Sequence, residues 1–213
     1  AVRRVYASTL SKEALEYRAR RGLLDRDEQM AVLVQRVLGS WHGDIFFPHV
    51  AGVGLSYNPY IWSEAIDPKA GVVRLVFGLG TRAVERVDDD YTRIVALNEP
   101  LRRPEGDSEE VRRYAQRRCD VIDTKTGGLR SLSFEEVVRL VPDLPLETLA
   151  IRDPYLEERV GEDWGGEVLS WTLTFDGLLS RGGFVDRMRM MMRSLEEAYE
   201  HPVDIEFTVN FDD

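Results

Sequence analysis

The segment His201-Pro-Val-Asp-Ile-Glu-Phe-Thr-Val-Asn210 places two carboxylates, Asp204 and Glu206, two positions apart inside an apolar run. Strand side chains alternate faces, so the two acids share one face while Val203, Ile205 and Phe207 take the other. Two acids aimed into one volume repel each other unless something positive lies between them. A divalent cation accompanied by phosphates meets that need, because hard cations take oxygen ligands. The plain alternative is a solvated face on an edge strand, and alternation by itself favours it.

The balance of residues limits what such a face can serve. With 213 residues, 43% hydrophobic and 31% charged, the chain can bury a sizeable core. No apolar run approaches the roughly 20 residues that span a bilayer, and no signal-peptide pattern opens the chain. A net charge of -10 argues against nucleic acid as the main partner. It leaves room for a phosphorylated small molecule whose charge a metal offsets. Cys119 is the only cysteine, which excludes an internal disulfide and a thiolate zinc cluster and points to the cytoplasm. Internal repeats and low-complexity tracts are absent. The chain opens inside a helical pattern without methionine and stops where a hairpin would turn back, so it reads as a fragment of something larger.

Along the chain, Val2, Val5, Tyr6, Thr9 and Leu10 recur at helical spacing, and Ser11-Lys-Glu-Ala restarts a helix that ends near Gly22. Arg18, Arg20 and Arg21 read as a solvated basic face. Met30-Ala-Val-Leu-Val-Gln-Arg-Val-Leu38 is nearly continuous in apolar residues and predicts a strand covered on both sides. Gln35 within it then needs a buried partner, either backbone or the edge of a nucleotide. Trp41 to Pro48 reads as a loop. His42 and His49, seven apart, lack a metal-ligand spacing and read as structural or surface histidines.

Val50-Ala-Gly-Val-Gly-Leu-Ser-Tyr57 and Gly71-Val-Val-Arg-Leu-Val-Phe-Gly-Leu-Gly80 predict strands, the second ending in Gly-Leu-Gly. That turn lacks the third glycine of a dinucleotide fingerprint. Asp88-Asp-Asp90 is an acidic triplet that fits a solvated turn better than a cation site, and Tyr91 to Leu97 alternates like a strand. Glu110 to Arg118 predicts a short helix carrying the densest positive patch, Arg112, Arg113, Arg117 and Arg118. Asp120–Asp123 and Leu129–Leu132 predict a hairpin turning at Gly127-Gly128, and Ser133-Phe-Glu-Glu136 is a capping box. Pro142 to Gly166 is irregular, with Tyr155 and Trp164 as anchors; Val168 to Phe175 reads as extended. Phe184 to Glu200 predicts a long helix whose stripe of Met188, Met191, Met192, Leu195 and Tyr199 faces the core.

Five of these segments, in order, resemble the ATP-grasp, pyruvate-binding domain of the phosphoenolpyruvate synthase and pyruvate phosphate dikinase family. They are Val5-Tyr-Ala-Ser8 with Ala14-Leu-Glu-Tyr-Arg18, Met30 to Val37, Val50-Ala-Gly-Val-Gly-Leu-Ser56, Phe77-Gly-Leu-Gly80 and Pro202-Val-Asp-Ile-Glu-Phe207. The resemblance implies an α+β fold with a mixed, largely antiparallel sheet and packed helices, here a partial ATP-grasp spanning 1–213 with an inserted sub-region at about 101–166. It implies binding of ATP and Mg2+, with phosphoryl transfer to a histidine on a separate carrier domain and pyruvate as final acceptor. By position, Gln35 would contact the nucleotide, Glu206 would ligate magnesium, and Asp204 would lie beside it as a second acid.

Departures from the family pattern temper this. The family's lysine and arginine of the preceding lobe, its glutamine-bearing return strand and its Thr-Ser-His carrier motif have no counterpart in these residues, and Thr81-Arg82 follows the Gly-Leu-Gly turn where many members have an acid. The chain is therefore expected to carry the acidic side of a site without its cationic side, and to bind ATP poorly by itself. Two rival readings stay open: a dikinase with a different acceptor, and a degenerate nucleotide sensor or interaction module.

Overall fold

The computed structural model describes residues 2–84, 90–152, 171–181 and 183–211. It divides into two compact units, Ala1–Val37 and Leu38–Asp213.

In the first unit, helix α1 (Val2–Ser8) is followed by α2 (Lys12–Arg20). The Ser11 hydroxyl caps α2 by accepting from the Ala14 N–H at 3.2 Å, as the local sequence predicts. Gly22, at φ +66°, ends the helix in the left-handed region. Arg18 is not a solvated charge: its side chain is 13% exposed, pairs with Glu28 at 2.9 Å and donates to the Leu23 carbonyl. The expected strand at 30–38 does not form. Those residues have no regular secondary structure, and Leu33 and Val34 are 79% and 81% exposed. A strand is stable only when a neighbour pairs its backbone, and no described strand pairs with this run.

Among its described residues the second unit has three open sheets, and every pairing is antiparallel. The central sheet has the order β10-β3-β4-β5, from β3 (Val50–Leu55), β4 (Val72–Val76), β5 (Arg93–Ala96) and β10 (Asp204–Val209). A second sheet, β1-β2-β6-β7, joins β1 (Ser40–His42) and β2 (Ile45–Phe47) to β6 (Arg118–Asp123) and β7 (Gly128–Ser133). The third is the pair β8 (Ala150–Arg152) and β9 (Trp171–Leu173). Its described α-helices are α3 (Thr81–Val84), α4 (Ser108–Arg113), α5 (Phe134–Leu140), α6 (Leu146–Leu149), α7 (Asp176–Ser180) and α8 (Phe184–Tyr199). Helices with mostly antiparallel open sheets make the fold α+β, as expected.

Several expectations shift in detail. Trp41 to Pro48 is a hairpin rather than a loop: β1 and β2 pair across Gly43-Asp44, with Gly43 at φ +61°. Glycine followed by aspartate between Trp41-His42 and Ile45-Phe-Phe47 is a tight-turn signal. Helix α4 stops at Arg113, so Arg117 precedes β6 and Arg118 begins it. The β6–β7 hairpin and the Ser133–Glu136 capping box form as read. In α8 the buried stripe is Phe184, Val185, Met188 and Met192, whereas Met191 and Tyr199 are exposed. Val168 to Ser170, Tyr155 and Trp164 lie outside the described residues.

One continuous core runs from the central sheet into the second. Phe77 sits at the junction, edge-on to Phe47 at 5.3 Å and to Phe134 at 5.4 Å. Residues 118–134 therefore share a core with 45–50 rather than forming a layer of their own.

Candidate functional site

Strand β10 is an edge of the central sheet, paired only with β3 among the described strands. Its register sets Asp204 opposite Leu55, Glu206 opposite Val53 and Thr208 opposite Ala51. Directly paired residues share a face, so one side of the sheet carries Asp204, Glu206 and Thr208 with Ala51, Val53 and Leu55. On β4 the same face continues through Val72, Arg74 and Val76. The opposite face, with Ile205, Phe207 and Val209, packs against the main core beneath α8. Alternation thus sorts acids from apolar residues as the sequence predicts.

The acidic face is covered in part by a small second cluster, Ala51, Val53, Val76 and Ala83. Ala83 belongs to α3, which starts directly after the Gly78-Leu79-Gly80 turn, so turn and helix lie over the face that bears Asp204 and Glu206. At Gly80 a Cβ would lie 3.5 Å from that of Ala51. At Gly78, φ is +91° and a Cβ would meet Cys119 Sγ at 2.5 Å, so only glycine fits against β6. The Leu79 N–H donates to the Asp120 carbonyl at 2.9 Å, tying the turn to that strand.

A buried ionic network fixes α3, and its members are too far apart in sequence for spacing to reveal. Arg82 donates through Nε to Asp120 and through Nη1 to Asp90, both at 3.2 Å, and through Nη2 to Ser131 at 2.8 Å. Thr81 donates its hydroxyl to Asp120 at 2.6 Å. Asp90 also accepts the Arg117 and Arg118 backbone N–H groups at 2.7 and 3.0 Å. Asp90 is therefore neither a cation ligand nor a solvated turn residue; Asp88 and Asp89 lie outside the described residues. Burial, with Asp120 beside it, holds the Cys119 thiol well above the ordinary range, so Cys119 is an inert core residue.

The two acids have a different environment. Asp204 and Glu206 are exposed, and neither side chain has a hydrogen bond or ion pair among the described residues. Their oxygens are free to accept. Gln35 belongs to the first unit, where it is exposed in the irregular 27–39 stretch, so the premise of a buried amide there fails. His49 is buried, its Nδ1 accepting the Phe211 N–H at 3.1 Å. Burial lowers the pKa of His42, against a smaller opposing pull from Asp143. Both histidines are structural.

Among the described residues no three His, Cys, Asp or Glu side chains gather as a metal site. Two unpaired carboxylates on one face still match the donor chemistry of magnesium, which takes one or two carboxylates and completes its shell with water and phosphate oxygens. No helix among the described residues is long and apolar enough to cross a membrane.

The family model described as the pyruvate phosphate dikinase AMP/ATP-binding domain covers residues 1–213. No curated protein matches the chain.

Proposed function

Because the chain belongs to the pyruvate phosphate dikinase AMP/ATP-binding domain family, we propose that it is the ATP-binding part of a phosphotransferase whose site uses the Asp204–Glu206 face. The parent enzyme moves a phosphoryl group from ATP to a histidine on a carrier domain of its own chain, for delivery to pyruvate in the cytoplasm. The observation that carries the site assignment is a pair of carboxylates, without a partner among the described residues, on the sheet face that α3 covers in part.

On this reading Glu206 holds magnesium and Asp204 lies beside it. Bound magnesium would supply charge neutralisation at the phosphates, which phosphoryl transfer depends on more than on any covalent step by the protein. The chain's own residues position: β3 sets the spacing of the two acids, and the Gly-Leu-Gly turn with α3, locked by Arg82, shapes the surface next to them.

The experiment is a calorimetric titration of the full-length protein with ATP in the presence of Mg2+. Glu206→Gln is expected to weaken binding at least tenfold, with Asp204→Asn less severe. Unchanged affinity in Glu206→Gln would sink the site assignment. Formation of acid-labile, base-stable phosphohistidine from labelled ATP tests the transfer step separately.

A further inference from the structure

Among the described residues of the four central strands, the face that bears Asp204 and Glu206 has one cation. Strand register places Glu206, Val53, Arg74 and Ile94 in a single lateral row, running from β10 through β3 and β4 to β5. Arg74 thus lies on the same side of the sheet as both acids, two inter-strand steps (about 9.5 Å) from Glu206 along the row. Val53, between them, is small and 7% exposed. Other residues of this face on the four strands are apolar except Asp204 and Thr208.

Arg74 is out of keeping with its strand. Val72, Val73, Leu75 and Val76 are fully buried, and Arg74 alone is partly exposed. Its Nε is buried without a hydrogen-bond partner, and its guanidinium makes no ion pair among the described residues. Arg82 and Arg103, by contrast, each find a carboxylate. A guanidinium set mid-strand in apolar surroundings, with a buried N–H lacking an acceptor, loses hydration that nothing internal restores. An acceptor brought by a ligand would restore it.

We propose that Arg74 binds the phosphate oxygens of the nucleotide, supplying from within this chain a positive counterpart to Asp204 and Glu206. This rests on the reading of the acidic face as the nucleotide site. Arg74 would then hold phosphate from one side and the two carboxylates would hold the accompanying cation from the other, with buried Val53 keeping the opposite charges apart. A guanidinium fork suits phosphate geometry. The alternative is that the Arg74 stem simply covers Val72 and Val76, its head in water.

Arg74→Met separates the two, because methionine keeps an apolar stem in an apolar strand and removes only the charged head. The full-length protein is titrated with ATP and with adenosine, each with Mg2+. Arg74→Met is expected to raise the Kd for ATP at least tenfold, leave adenosine within twofold and flatten the salt dependence of ATP binding; Arg74→Lys recovers part of the loss. Unchanged ATP affinity in Arg74→Met, or equal loss of ATP and adenosine, overturns the proposal. If Glu206→Gln weakens ATP binding while Arg74→Met does not, the role of Arg74 alone fails. If neither variant has an effect, the assignment of this face fails, and the role of Arg74 with it.

Discussion

The Gln116 side chain brackets the peptide of Phe77: its Oε1 accepts the Phe77 N–H at 2.7 Å and its Nε2 donates to the Phe77 carbonyl at 2.9 Å. The same Nε2 donates to the Arg118 carbonyl at 2.7 Å. Gln116 therefore does for the end of β4 what a neighbouring strand would do, in the core where the central and second sheets meet. Truncating it to alanine leaves the Phe77 N–H and carbonyl buried and unpaired. Gln116→Ala is expected to cost about 2–6 kcal/mol in urea unfolding, at about 1–3 kcal/mol for each of the two unsatisfied groups.

Arg82 is 9% exposed and Asp90 1% at their side chains. Removing one member of a buried pair strands the other charge, although Asp120 remains to Arg82 and softens the loss. Asp90→Ala is expected to destabilise by about 3 kcal/mol and to release the 117–118 backbone that Asp90 also holds. A chemical denaturation curve with a lowered midpoint checks the first, and faster amide exchange at Arg117 and Arg118 the second.

Gly78 and Gly80 look alike in sequence and should differ on substitution. Gly78→Ala places a methyl group 2.9 Å from the Asp120 backbone oxygen at φ +91°, and neither can relax cheaply. About 2 kcal/mol or more is expected, of which about 1–2 kcal/mol comes from the left-handed backbone. Gly80→Ala meets only ordinary contact with Ala51 at 3.5 Å and should stay within about 1 kcal/mol of wild type. Melting temperatures of the two variants, measured side by side, test the contrast.

Acid sensitivity should trace in part to the β6–β7 hairpin. The Arg130 guanidinium, at 2.6 Å, and the Thr126 N–H hold the Asp123 carboxyl below its ordinary value of 3.8. A lowered carboxylate pKa adds stability that is fully present above the unfolded value and is lost as pH falls through the folded one. Asp123→Asn should therefore melt below wild type at pH 7, with the difference closing below pH about 3.8. Calorimetric scans from pH 7 to pH 2.5 would show whether the gap closes.

Local order was legible where neighbouring residues decide it. Ser11 and Ser133 cap their helices, Gly127 turns the β6–β7 hairpin, and the alternation of Asp204-Ile-Glu206-Phe207 separates an acidic from an apolar face. Those signals act over a few residues, through hydrogen bonds and side-chain direction that the chain sets for itself. The order of five segments was equally readable, and it led to the family. Pattern could not say whether an apolar run finds a sheet to join: Met30 to Leu38 reads as a buried strand, yet no described strand pairs with it. Nor could spacing show that Arg82 would meet Asp90 and Asp120, or that Arg74 would fall in one lateral row with Glu206. Those depend on strand register, which is fixed only when distant segments pack. The two acids were visible from the start; the cation on their face emerged only from how β3 and β4 align beside them.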